Sequence, residues 1–540
     1  MRSLLSRLTD HTNNPPRLIG LSATVDNFEL VKRWINHERP ENVEVVEIKG
    51  TDKNLKFHVM YIPQETSYLP SALMEDLREL TRHQKAIIFC NNRGQVEEAT
   101  VGLNRLAERE GLGETYYPHH SSIDKKEREY VEKVMHESNQ PKSIVATSSL
   151  ELGIDIGDIE IVIQIDSTYS VSSLKQRLGR SGRKRENDQM LQLYATSEES
   201  LVQSLAVMEL VIEKWIEPSK GYSLPFDVLF QQIISICQEK NGLIYNELLE
   251  KLLAIPIFNG IPTRDMELLI SHMIDGDHLE VIKGSGEIII GLKGEKILRS
   301  KDFYALFMSS EEYEVVEGNR KIGRLDQSFV INIDDHIILA GRLWRIKEID
   351  YDKKKVYVVK AVSGKKPGYS GASGNIHKKV REKMMEILCS DKEFHYTNEE
   401  ANLTLIDMRK KYSINDITSH QRVVWSDKME LIFEPFTGTI ITQNLIWMLR
   451  YYGIDARICF HNKSRIVFSQ TTGLRKIFEN MKNKKWTTAD LLPYIPKSEQ
   501  MKTKYSEEIP EQLNIEMHLA NEVAIEETLE FLHKYEIKFL

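Results

Sequence analysis

Two arginines, Arg180 and Arg183, stand with Gln176 in the run QRLGRSGR at 176–183. Arginines one turn apart, separated by small residues, suit reaching across a cleft to a γ-phosphate. The planar guanidinium neutralises charge spread over phosphoryl oxygens, and the glycines let backbone and cation approach closely. Residues 175–185 hold six cations, too many for a helix that covers a core; a solvated basic face is the alternative. The phosphate loop G-x-x-x-x-G-K-[ST] that would hold such a nucleotide occurs nowhere in the 540 residues. The expectation is a rear part of a two-lobed motor whose front lobe lies outside the sequence.

Other polar groups fall where strands should end. Residues 146–155, ATSSLELGID, follow a buried strand. Hydroxyls such as Thr147 at a strand-to-helix junction can hold a backbone phosphate, and Gly153 and Asp155 suit contact with a nucleotide's ribose or phosphates. Helix capping by Ser or Thr is the plainer alternative. The segment KAIIFCNNR, 85–93, ends in Asn91, Asn92 and Arg93, amides and a cation that could clamp a sugar–phosphate chain; a strand followed by a turn explains them equally well. His119, His120, Ser121 and Ser122 follow a further strand. Adjacent histidines diverge in a strand and no Glu or Cys is near in sequence, so nucleic-acid contact is favoured over a metal site. Ser22 and Thr24, in Ser-Ala-Thr, could relay the state of a bound nucleotide. Ile333–His336 (IDDH) and Gly284-Ser285-Gly286 mimic an acidic motif and a dinucleotide fingerprint, but lack a phosphate loop and read better as a β-rich stretch and a hairpin tip.

The elements that must position these residues are those of an α/β protein. From about 71 to 214, apolar strands (85–90, 115–119, 143–147, 159–165) interleave with helices of ten or more residues. This implies a parallel sheet covered on both faces, with ligands at the carboxyl ends of strands. Three helical stretches (226–240, 245–253, 263–275) followed by a hairpin (279–282, 287–290) read as a winged helix. The expected division is 1–48, the tail of a first RecA-like lobe, with a buried strand at 17–21; 49–217, a second RecA-like lobe; 218–300, a winged helix; 301–375, a β-rich domain; and 376–540, an α+β domain.

Composition narrows the class. A net charge of −8 argues against indiscriminate polyanion binding, so nucleic-acid contact must come from local strips. The four cysteines form no C-x-x-C pair, which disfavours zinc ribbons and disulfides and fits a reducing cytoplasm. No apolar run approaches the ~18 residues of a membrane span, so a cytoplasmic protein without membrane contact is expected.

Ser22-Ala23-Thr24, KAIIFCNNR, YYPHHSS, ATSSLELGID and QRLGRSGR stand in the order of motifs III, IV, IVa, V and VI of superfamily 2 helicases. Downstream, FYALF (303–307), IGRLD (322–326), LAGRLWRI (339–346) and the passage 433–449 resemble the Lhr (large helicase-related) family. The resemblance implies an ATP-driven translocase moving 3′ to 5′ on single-stranded DNA and unwinding duplexes, often RNA–DNA hybrids. It also implies a RecA-like helicase lobe followed by winged-helix and β-rich domains. By resemblance, Gln176, Arg180 and Arg183 face the γ-phosphate, with Arg183 as the finger. Gly153 and Asp155 touch the nucleotide, Ser22 and Thr24 couple its state, and Thr147, Asn92, Arg93 and Ser121 hold the tracking strand. Tyr369 stands where relatives often carry a stacking tryptophan; a surface aromatic is the alternative.

The family's phosphate loop and Asp-Glu-x-His motif would precede Ser22. ATP and Mg²⁺ are therefore expected only with that lobe, supplied from elsewhere, such as a separate polypeptide carrying both Walker motifs. The isolated chain is expected to be inactive as an ATPase. The competing reading is an ATP-independent single-stranded nucleic-acid-binding module or a truncated remnant.

Overall fold

The computed structural model describes residues 1–14, 16–22, 25–47, 53–138, 140–151, 155–182, 188–307, 311–327, 329, 331–362, 374–426, 430–459, 464–469, 472–500 and 503–540. The chain opens with two short helices, α1 (Arg2–Leu8) and α2 (Phe28–Ile35), the second capped by Asn27, whose side chain accepts the Leu30 N–H at 3.1 Å. The buried strand expected at 17–21 does not form, and Ile19 and Leu21 stand 73% and 93% exposed. A parallel strand exists only through its neighbours' hydrogen bonds, and among the described residues of 1–47 there is no strand to pair with.

The parallel sheet comprises β1 (Leu55–Tyr61), β2 (Ala86–Phe89), β3 (Tyr116–His119), β4 (Ser143–Ala146), β5 (Ile161–Ile165) and β6 (Gln189–Ala195), in the order β1-β6-β5-β2-β4-β3. It is covered by α3 (Ser71–Leu80), α4 (Arg93–Arg109), α5 (Lys125–Glu137), α6 (Val171–Leu178) and α7 (Glu198–Ile212). Strands β2 to β5 are buried throughout, which explains their unbroken apolar character. Alternation sends Ile88 and Ile163 to one face against Leu73, Leu77 and Val96, and Ile87, Phe89 and Ile144 to the other against Leu174, Leu205 and Met135.

Next come α8 (Phe226–Lys240), β7 (Leu243–Ile244), α9 (Tyr245–Leu253), α10 (Thr263–Asp275), β8 (Leu279–Val281), β9 (Glu287–Ile290) and α11 (Leu292–Leu298), with an antiparallel sheet β7-β9-β8. Their core is completed from far along the chain by Tyr505, Ile509, Leu513 and Met517. A five-stranded sheet follows: β10 (Glu312–Glu317), β11 (Arg320–Asp326), β12 (His336–Leu339), β13 (Arg342–Asp350) and β14 (Lys355–Lys360), ordered β11-β10-β14-β13-β12 around buried Trp344.

The helices α12 (Lys378–Leu388) and α13 (Glu399–Ser413) do not stand apart from the parallel-sheet lobe. Val380, Met384, Leu388 and Leu405 share one core with Val59, Leu201 and Leu205. The edge strand β1 is closed there too. Val59 N–H donates to the Tyr396 carbonyl at 2.8 Å, and the Asn398 side chain brackets Tyr61, accepting its N–H at 3.0 Å and donating to its carbonyl at 3.2 Å. A second five-stranded sheet ends the chain, its last strand Glu536–Phe539 pairing in parallel with Gln421–Ser426.

Candidate nucleotide and nucleic-acid interface

Strands β2, β4 and β3 are neighbours, so their carboxyl ends bring Asn92, Thr147 and Ser121 to one edge of the sheet. Asn92 and Ser121 are exposed and Thr147 is half-buried. Asn92 caps α4, its Oδ1 accepting the Gln95 N–H at 2.8 Å. The helix N-terminus, a favourable place for an anion, thus lies at this edge. Arg93 is engaged, donating to Ser122 Oγ at 2.5 Å and lying 3.7 Å from Glu312. Asn91 turns the other way and donates to the Ser167 carbonyl at 2.9 Å. It lines a cleft of about 310 Å³ with Asp166, Ser167, Tyr169, Ser200 and Arg381; Gly374 also borders this cleft.

The two histidines are not strand contacts, contrary to the expectation for this segment. Both are fully buried, and each meets a carboxylate that sequence proximity did not reveal. His119 Nε2 lies 3.1 Å from Glu132 on α5, with Ser149 Oγ 2.9 Å from Nδ1; His120 Nε2 lies 2.9 Å from Glu97 on α4. Burial holds the His119 imidazole below its ordinary pKa, although the Glu132 carboxylate pulls the other way.

The arginine run closes over the 148–151 turn. Arg180 is 8% exposed and donates from Nη2 to the Glu151 carbonyl at 2.6 Å. Gln176 is half-buried on the same helix end. Arg177, which spacing alone did not single out, is the better-connected cation. Its Nε bonds the Glu151 carboxylate at 2.9 Å, its Nη2 bonds the same oxygen, its Nη1 bonds Gln164 Oε1, and its guanidinium lies 4.8 Å from the Phe89 ring centre. Ser173 Oγ adds a third group to Glu151 at 2.7 Å. Gln164, also buried, returns its amide to the carbonyls of Ile165 at 2.9 Å and Asp166 at 2.7 Å. A buried guanidinium is tolerable only when so paired.

The result is one polar cluster, Gln164–Arg177–Glu151–Arg180, that ties the turn after β4 to the helix after β5. Its only sequence signal was an acidic residue in the run after β4 and an arginine in the run after β5. Asp155 is exposed and accepts the Gly157 N–H at 3.2 Å. Ser22 is exposed in the amino-terminal segment. Thr24, Gly153, Arg183 and Tyr369 lie outside the described residues.

Residues 69–185 match the helicase conserved C-terminal domain. The chain is 28% identical over 366 residues to the ATP-dependent helicase Lhr-Core of Saccharolobus solfataricus, covering 65% of this chain and 41% of that protein. It is 25% identical over 430 residues to the Lhr helicase/uracil glycosylase of Escherichia coli, covering 68% of this chain and 28% of that protein. The chain thus spans well under half the length of these relatives. Among solved structures, Mycobacterium smegmatis helicase Lhr bound to ssDNA and AMP-PNP aligns over 100% of this chain and 76% of its own, with a TM-score of 0.70 at 17% identity. The helicase MrfA bound to DNA aligns over 98% of this chain and 72% of its own, with a TM-score of 0.53 at 15% identity.

Proposed function

We propose that this chain, an Lhr-type superfamily 2 helicase by sequence and fold, is the rear part of an ATP-driven translocase that moves 3′ to 5′ on single-stranded DNA and unwinds DNA or RNA–DNA duplexes. The observation that carries the proposal is the Gln164–Arg177–Glu151–Arg180 cluster, which joins the described part of the arginine run, 176–182, to the turn behind the strand-end edge of Asn92, Thr147 and Ser121. In this reading the edge holds phosphates of the tracking strand, with Tyr369 stacking on a base. Helices α8, α9 and α10 with the sheet β7-β9-β8 act as a winged helix beside it.

Arg180 and Arg183 neutralise charge on the γ-phosphoryl group, and Gln176, Gly153 and Asp155 line the nucleotide. A lobe bearing a phosphate loop, in the same protein or in a separate polypeptide, holds ATP with Mg²⁺ against them; Ser22 and Thr24 pass its state on.

The test is ATP hydrolysis by the 540-residue chain, with and without a Walker-motif lobe, in the presence of single-stranded DNA. We expect DNA binding without turnover from the chain alone, and DNA-stimulated turnover once the lobe is added. In that assembly Arg183→Ala should cut turnover about 10³-fold while leaving DNA affinity unchanged. Turnover by the chain alone would show that its nucleotide site is self-sufficient. Failure to bind DNA would remove the translocase reading altogether.

A further inference from the structure

The turn from β12 to β13 consists of two residues, Ala340 and Gly341, whose φ values are +55° and +69°. Two left-handed residues in succession are what a tight type I′ hairpin requires. Their N–H groups converge on one carboxylate: Ala340 N–H donates to Glu97 Oε1 at 2.7 Å and Gly341 N–H to Glu97 Oε2 at 2.6 Å. Glu97 belongs to α4 of the parallel-sheet lobe and is fully buried. Its third donor is His120 Nε2; because Ser122 N–H donates to His120 Nδ1 at 3.3 Å, the ring proton sits on Nε2. A carboxylate with three inward donors, two of them from another sheet, is a built joint rather than a stray buried charge.

The joint has a second edge. Asp124 N–H donates to the Ile322 carbonyl at 3.1 Å and Arg324 N–H to the Ser122 carbonyl at 2.8 Å. Close approach makes glycine necessary on both edges. A Cβ on Gly323 would lie 2.5 Å from the Ser122 oxygen, and one on Gly341 would lie 2.9 Å from Thr100 Cγ2 and 3.0 Å from Pro118. Arg320 pairs with Glu127 across the rim. The stretches 322–326 and 339–346 therefore serve as the seam between the β-sheet domain and the lobe. Ser121 lies between two of the residues that the seam fixes, His120 and Ser122.

We propose that Glu97 is a positioning residue for strand binding. It locks the five-stranded domain and the parallel-sheet lobe into one gripping body and sets the Ser121 loop in register between them. This rests on the reading of the strand-end edge as the nucleic-acid interface.

The experiment uses the full 540-residue chain and a fluorescein-labelled oligothymidylate, with affinity read by anisotropy and fold by far-UV circular dichroism and melting. Glu97→Gln preserves volume but turns an amide N–H₂ toward a backbone donor. Gly341→Ala wedges the same contact from the other side. Each should weaken DNA binding about tenfold with the fold intact. The double variant should stay within about twofold of the weaker-binding single variant, because both break one contact. Gly323→Ala, which leaves Glu97 untouched, should weaken binding similarly. Lowered melting temperatures with unchanged affinity would make the seam merely structural and overturn the proposal. So would multiplicative losses in the double variant. If the unaltered chain binds no DNA, the interface reading fails and the proposal falls with it; if only the variants' affinity stays unchanged, the interface stands and Glu97's role does not.

Discussion

His119 illustrates how burial sets chemistry at the scale of a residue. With both ring nitrogens inside the protein, its imidazole is held neutral, and desolvation depresses His278 and His377 in the same direction. The unfolded chain takes up these protons near the ordinary value of 6.5, and the folded chain only at lower pH. The unfolded state therefore binds more protons in that window, so the stability these groups allow is complete above pH 6.5 and is lost as pH falls below it. Calorimetric melting should show a plateau on the alkaline side and a decline on the acid side; a flat profile down to pH 5 would contradict it. Arg177 carries a second prediction. Arg177→Ala leaves the half-buried Glu151 carboxylate without its main partner and should destabilise by about 1–3 kcal/mol in urea unfolding. Arg177→Lys, lacking the planar fork, should recover only part of this. Spacing in QRLGRSGR marked the segment, yet it could not tell which arginine Glu151 would claim. That depends on where the 148–151 turn passes over α6, a tertiary fact.

At the scale of elements, Asn92 separates two roles that coincide at a helix start. Asn92→Ala removes the cap on α4 and should cost about 1 kcal/mol of stability. Asn92→Asp keeps the acceptor for Gln95 N–H but sets a negative charge toward the proposed phosphate. It should leave the melting temperature near that of the parent while weakening DNA affinity several-fold, read by anisotropy. Equal effects of both variants on affinity would mean that the cap alone matters. The strands β2 to β5 were legible because strands buried on both faces are continuous apolar runs. Residues 17–21 carry the same local signal and form no strand, since pairing is a property of neighbours and not of the segment. The carboxylates facing His119 and His120 were invisible for a related reason: Glu132 and Glu97 are 13 and 23 residues away in sequence and meet the histidines only when helices α5 and α4 pack on the sheet.

Across the whole molecule, chain order and packing order diverge. Residues near 505–517 finish the core around α8, where the Tyr505 hydroxyl donates to the Phe303 carbonyl at 2.5 Å, and α12 and α13 finish the core of the parallel-sheet lobe. Cutting the chain after residue 500 should therefore expose the helical domain, although the cut lies far downstream of it. Hydrogen exchange in α8 should rise markedly in such a truncation, and protection equal to that of the full chain would refute the shared core. Sequence periodicity describes segments one at a time, so it could place these helices but not assign them to a distant core. The clasp on β1 has a temporal consequence. Tyr61 and the Asn398 that brackets it are 337 residues apart. At ~5–20 residues per second on the ribosome, the open edge of the lobe waits roughly 17–67 s for its cover. Chaperone demand during synthesis should therefore fall on this lobe, and its soluble yield should track holdase supply more closely than that of the late-made terminal sheet.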